Sequence, residues 1–127
     1  MLVSLPQPYD FELSTARFRV YGFDRANVWR EGGLHRVFAG QEVRIEAATG
    51  GVEVAPHSRE IEAGVRTYLG EPFDLDGFRR WAQADETLAG LVHARPGFRP
   101  PLQPDPFEAL VTSITAQQVS LQSAAAI

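Results

Sequence analysis

The chain has no cysteine, which excludes disulfides, thiolate metal sites and a cysteine nucleophile. It has no lysine either, since all twelve basic residues are arginine, so no side chain can supply a Schiff-base amine. Arginine-only usage fits a GC-rich coding sequence or selection for phosphate contacts. The formal net charge of −4 favours the first, because nucleic-acid-binding domains are usually basic. Histidine is scarce. His35, His57 and His93 are scattered, with no two at ligand spacing, and each reads as a surface or strand residue, so no metal site is expected. No phosphate-binding glycine motif is present. Met1 to Pro6 lacks the basic start and sustained apolar run of a signal peptide. A soluble cytoplasmic protein is the expectation.

A further absence lies at the carboxyl end, where no charged residue follows Glu108. The last stretch, Pro104 to Ile127, reads PDPFEALVTSITAQQVSLQSAAAI. Asp105 suits an N-cap, Pro106 the first helical position, and Glu108 stands three residues after the cap. A helix is predicted from Pro106, with no stop signal before Ile127. Phe107, Leu110, Val111, Ile114, Leu121 and Ala125 recur at helical spacing. Gln118 falls within that stripe and Gln117 on its edge. The opposite side, Ala109, Thr112, Ser113, Ala116 and Ser120, is small and admits close neighbours. A surface helix normally carries charge on its outer face, so this one reads as a central helix wrapped by protein outside the chain. It has too many hydroxyls and amides to span a membrane. Without its partners the stripe would be exposed, and the isolated chain is expected to self-associate through it.

Upstream, residues 1 to 8 read as an extended lead-in and Tyr9 to Leu13 as a short strand. Ser14 to Gly22 suits a short helix, although Phe18, Val20 and Tyr21 also suit a strand. Asn27 to Glu31 and Leu34 to Phe38 flank Gly32-Gly33, a hairpin turn signal. Gln41 to Ala47 alternates Val43, Ile45 and Ala47 with Glu42, Arg44 and Glu46, a half-buried strand. Thr49-Gly50-Gly51 turns into a strand around Val52 and Val54. From Ser58 the period becomes helical, with Ile61, Val65, Tyr68 and Leu69 on one face and Gly70 as the stop. Asp74 and Asp85 suit the caps of two more helices, a better account of Asp74-Leu75-Asp76-Gly77 than a calcium loop. Arg95 to Pro101 is a connector and a plausible boundary. The fold class is α+β: a small antiparallel sheet domain with a covering helix at 1–70, then the start of an incomplete all-α domain at 71–127.

Gln117 and Gln118 carry the most chemical information. An amide on an apolar stripe must find partners or cost a few kcal/mol. It can bridge neighbouring helices or loops, a common use of buried glutamine. It can also face a cleft and meet the edge of a nucleobase, since amides donate and accept without charge.

Asp105-Pro106-Phe107-Glu108-Ala109-Leu110-Val111, Ile114, Gln117-Gln118-Val119-Ser120 and Ala124-Ala125 resemble the opening helix of the helix-hairpin-helix DNA glycosylases. Arg95-Pro96-Gly97-Phe98-Arg99 and Pro8-Tyr9-Asp10-Phe11 look like the 3-methyladenine DNA glycosylase II branch. There a small antiparallel sheet domain precedes the helical domain. The resemblance implies an enzyme that flips an alkylated purine such as 3-methyladenine from double-stranded DNA and hydrolyses its N-glycosidic bond, with no cofactor. It implies a base-pocket role for Gln117 and a DNA-wedge role for Gln118, where many relatives carry an apolar wedge. The family's catalytic aspartate and its helix-hairpin-helix motif lie further downstream. No aspartate here matches the catalytic one, and this chain is expected to be inactive alone. Two other readings stand beside it: a non-catalytic binding or scaffolding module, and a related glycosylase for oxidised bases.

Overall fold

In the computed structural model, the residues described are 1–20, 24–117, 119–120 and 123. Among them the chain forms five strands and six helices. The strands are β1 (Leu2–Ser4), β2 (Val28–Arg30), β3 (Gly33–Phe38), β4 (Gln41–Ala48) and β5 (Gly51–Ala55). They build one antiparallel sheet in the order β1-β5-β4-β3-β2. The predicted meander from residue 27 to 54 is therefore present. The lead-in adds a strand that was not predicted: Leu2, Val3 and Ser4 pair with Glu53, Val52 and Gly51.

Side-chain alternation gives the sheet two unlike faces. Val3, Leu34, Phe38, Val43, Ile45, Val52 and Val54 are buried on one face, because successive residues of a strand point to opposite sides. Helix α3 (Arg59–Tyr68) covers that face with Ile61, Val65 and Tyr68. Each such side chain contributes on the order of 1.5–3 kcal/mol when fully buried. Ser58 caps α3 by accepting from the Ile61 amide at 3.2 Å.

The first hairpin turn is displaced by one residue from the predicted Gly32-Gly33. Its central residues are Glu31 (φ 51°) and Gly32 (φ 77°), with Arg30 paired to Gly33. Two positive φ values are what the tightest hairpin turn needs. Gly33 is a strand residue instead, paired with Arg30, and a Cβ there would come within 3.1 Å of Glu46 Cγ and 3.2 Å of the Ile45 carbonyl oxygen.

Tyr9 to Leu13 is not a strand. Asp10 caps helix α1 (Phe11–Thr15), accepting from the Leu13 amide at 2.9 Å. Phe11, Ser14 and Thr15 face inward, which is helical rather than alternating spacing. Helix α2 (Arg17–Val20) follows, the helical alternative for Ser14 to Gly22; Tyr21 and Gly22 lie outside the described residues.

Asp74 and Asp85 cap helices α4 (Leu75–Ala82) and α5 (Glu86–His93) through the amides of Gly77 and Leu88. Connector residues 95–101 contain no helix or strand, yet they are sewn down. The Gly97 carbonyl accepts from the Asp10 amide at 2.9 Å, and the Arg99 amide donates to Ser14 Oγ at 3.0 Å. The Arg99 guanidinium reaches the carbonyls of Gly70 and Phe73. Helix α6 (Pro106–Thr115) begins where predicted, with the Asp105 carboxylate accepting from the Phe107 amide at 2.8 Å.

Candidate functional site

Helix α6 is shorter than predicted and is not covered. It ends at Thr115, with Ala116 as its C-cap. Ser113 and Thr115 turn their hydroxyls back on the carbonyls of Ala109, Val111 and Thr112, a pattern that weakens a helix locally. None of its residues is buried. Phe107 is 74% exposed, Leu110 58%, Val111 42% and Ile114 58%. These positions follow i, i+3, i+4, i+7, so one apolar stripe faces open space.

Gln117 follows the helix, its amide donating to the Ile114 carbonyl at 3.2 Å, and its side chain is exposed. Gln118, the predicted wedge, lies outside the described residues, as do Leu121 and 124–127. The structure thus puts Gln117 just past the C-cap of α6.

The first turn of α6 is different, and its chemistry was missed in the sequence. Arg36 on β3 shares the core face with Leu34 and Phe38 and is 5% exposed. Its Nη1 donates to Asn27 Oδ1 at 2.9 Å. Its Nη2 donates to Gln103 Oε1 at 2.9 Å and to both Glu108 oxygens at 2.5 and 2.6 Å. Gln103 Nε2 donates to Glu108 Oε1 at 3.0 Å. The guanidinium carbon lies 4.7 Å from the centre of the Tyr68 ring, within cation–π range. The Tyr68 hydroxyl donates to Asn27 Oδ1. Burial pushes this phenol well above its ordinary range, so it stays a proton donor. The signal was the alternation itself: a period of two through Leu34 and Phe38 carries Arg36 onto the apolar face.

Beside this junction lies a cleft of about 410 Å³ bordered by Arg25, Arg30, His35, Arg36, Glu42 and Glu108. Its charges are largely paired. Arg30 meets Glu42, His35 Nδ1 lies 2.8 Å from the same carboxylate, and Arg36 meets Glu108. Such pairing leaves little net field for an ionic ligand. A second groove of about 190 Å³ between α4 and α5 is apolar, with Leu75, Phe78, Leu91, Val92 and Phe98 among its walls. Gln117 borders neither.

Of the other histidines, His57 Nε2 sits 3.0 Å from Glu62 and His93 ends α5. Among the described residues no group of histidine, aspartate and glutamate could hold a metal ion, and no helix is long and apolar enough to cross a membrane. No family model, curated protein or solved structure matches the chain.

Proposed function

We propose that this chain is the N-terminal part of a base-excision-repair DNA glycosylase of the helix-hairpin-helix superfamily. The substrate would be double-stranded DNA carrying alkylated purines such as 3-methyladenine. The observation that carries the reading is α6: a capped helix without charge after its first turn, its apolar stripe uncovered by the described residues, leaving an antiparallel sheet unit with Gln117 just past its C-cap. A helix of that kind suits the middle of a larger helical domain. Gln117 would meet the flipped base and Gln118 would fill the gap in the duplex, as the resemblance of Asp105 to Ala125 implies. The catalytic carboxylate, which stabilises the oxocarbenium-like transition state, would come from residues after Ile127. The acidic balance of the chain means that the cations meeting the DNA backbone would also come from there.

The test begins with the coding sequence past codon 127, where a glycine-containing hairpin followed by an aspartate is expected. The full product should release 3-methyladenine from methylated duplex DNA and leave undamaged DNA intact. A product that lacks that aspartate, or that releases no base, refutes the assignment. A lysine just before the aspartate would point instead to the glycosylase type that acts on oxidised bases and cleaves the strand.

A second reading, a non-catalytic binding module, is favoured by the apolar groove between α4 and α5 and by Trp81, which is 64% exposed and whose ring centre lies 5.8 Å from that of Phe78 in the groove wall. A stable, specific protein complex together with no base release would support it.

A further inference from the structure

Helix α6 meets the sheet unit through its first turn. Glu108 and Ala109 are half-buried, whereas the positions from Leu110 to Thr115 are exposed. The hold on that first turn is made of bonds with fixed direction. A guanidinium is a rigid planar fork, and here both of its terminal nitrogens are used: one on Asn27, the other on Gln103 and Glu108. Tyr68 supports the fork from its face and fixes Asn27 through the hydroxyl. The Leu102 amide donates to the Tyr68 carbonyl at 3.1 Å, pinning the chain just before the helix. Gln103 bridges the two charged groups.

We infer that Arg36 and Glu108 are positioning residues: their ion pair sets the angle at which α6 leaves the sheet unit, and with it the place to which Gln117 is carried. The consequence for base excision rests on the glycosylase reading above; the consequence for the helix angle does not. Thr115, the last residue of α6, lies seven residues beyond Glu108, on the order of 10 Å along the helix at about 1.5 Å per residue, and Gln117 follows just past the C-cap. A tilt of about 10° at the clamp then moves that end by roughly 2 Å, and a misplacement of about 1 Å can cost about 100-fold in rate. A sheet unit that never touches the target base would in this way govern how the base is met.

The experiment uses the full gene product, with any cysteine outside residues 1–127 replaced by serine. This chain has none of its own, so nitroxide labels at Glu53→Cys on β5 and Ser113→Cys on α6, both exposed positions, report one distance. Pulsed electron–electron resonance should give a single narrow distribution. Glu108→Ala should broaden and displace it. Because Glu108→Ala strands a buried cation and could unfold the protein, the paired variant Arg36→Met with Glu108→Leu is the second arm. Removing both charges together commonly preserves the fold, so this variant should melt as the parent does yet show the broadened distance. In that variant the single-turnover excision of 3-methyladenine should fall about tenfold or more, and 2-aminopurine fluorescence should report less base flipping, while duplex DNA affinity changes less than about twofold. A narrow, unshifted distance in the paired variant overturns the clamp. A broadened distance with unchanged excision overturns its role in positioning. If the parent excises nothing, the glycosylase reading fails and the distance distribution alone decides the clamp.

Discussion

The uncovered stripe of α6 predicts how the isolated 127-residue chain behaves in solution. Phe107, Leu110, Val111 and Ile114 expose between 42% and 74% of their surface. Complete burial of such side chains contributes about 1.5–3 kcal/mol each. Scaled by what is exposed, one helix offers roughly 3.5–7 kcal/mol, and two helices packed stripe to stripe about double that. Association costs about 4–15 kcal/mol in lost freedom; toward the low end of that cost, about 10 kcal/mol of burial leaves about 4–6 kcal/mol, a dissociation constant of roughly 50 µM to 1 mM. Sedimentation velocity between about 10 and 500 µM, which reaches into that range, should therefore show a concentration-dependent shift toward dimers or larger species. Leu110→Glu with Ile114→Glu puts two like charges on each stripe and should return a monomer across the same range. Trp81→Ser, which changes exposed apolar surface on α4 instead, should leave the association as it was. A parent chain that stays monomeric throughout would refute the reasoning. So would a double glutamate variant that associates as the parent does, because the sticky surface would then lie elsewhere.

Two further outcomes test the sheet unit. Gly51→Ala would place a Cβ 2.0 Å from the Val3 carbonyl oxygen, so β1 must leave the sheet and expose Val3 and Leu5, a loss on the order of 3–5 kcal/mol. Gly50→Ala meets nothing within 4 Å and only strains a residue at φ +81°, costing about 1–2 kcal/mol; equal losses in thermal melts of the two variants would refute the close-packing argument. Glu62 is held below the ordinary carboxylate range, first by its hydrogen bonds to Arg66 and then by the bond to His57. A carboxylate with a depressed folded-state pKa adds stability above its unfolded value near 4.5 and loses it as pH falls through the folded value. Glu62→Gln should therefore flatten the fall of the urea midpoint between about pH 5 and 3; an unchanged acid limb would count against it.

The parts of this fold that sequence reading recovers are those decided within four residues. Asp74, Asp85 and Asp105 each cap the helix predicted for them, because the side chain bonds an amide two or three positions on. The strands at 28–55 are legible for a similar reason, since a turn and a period of two are local. What was misread depends on distant partners or on rival local bonds. Residues 2–4 are a strand because β5, some fifty residues away, offers an edge; their own composition does not demand it. Asp10 converts an apparent strand into α1 by capping the Leu13 amide, and the Gly97 carbonyl, far along the chain, accepts from Asp10 in turn.

The same distinction governs the site. Read locally, Glu108 is the third residue after a cap, a position that favours a carboxylate by helix electrostatics alone. Its actual partner is 72 positions earlier, which no window along the chain contains. Arg36 was open to detection, since a cation in phase with Leu34 and Phe38 needs an anion beside it if it is to be buried. The search for that anion also has a physical end point, because Glu108 is the last charge in the chain. Everything on α6 after it can hold the helix only through apolar contact or through neutral hydroxyls and amides. Such contacts set depth of burial well but direction poorly, being non-directional. If α6 must present its far end at one angle, that angle has to be imposed at Glu108, the one place on the helix where a charged, directional bond to the sheet unit exists.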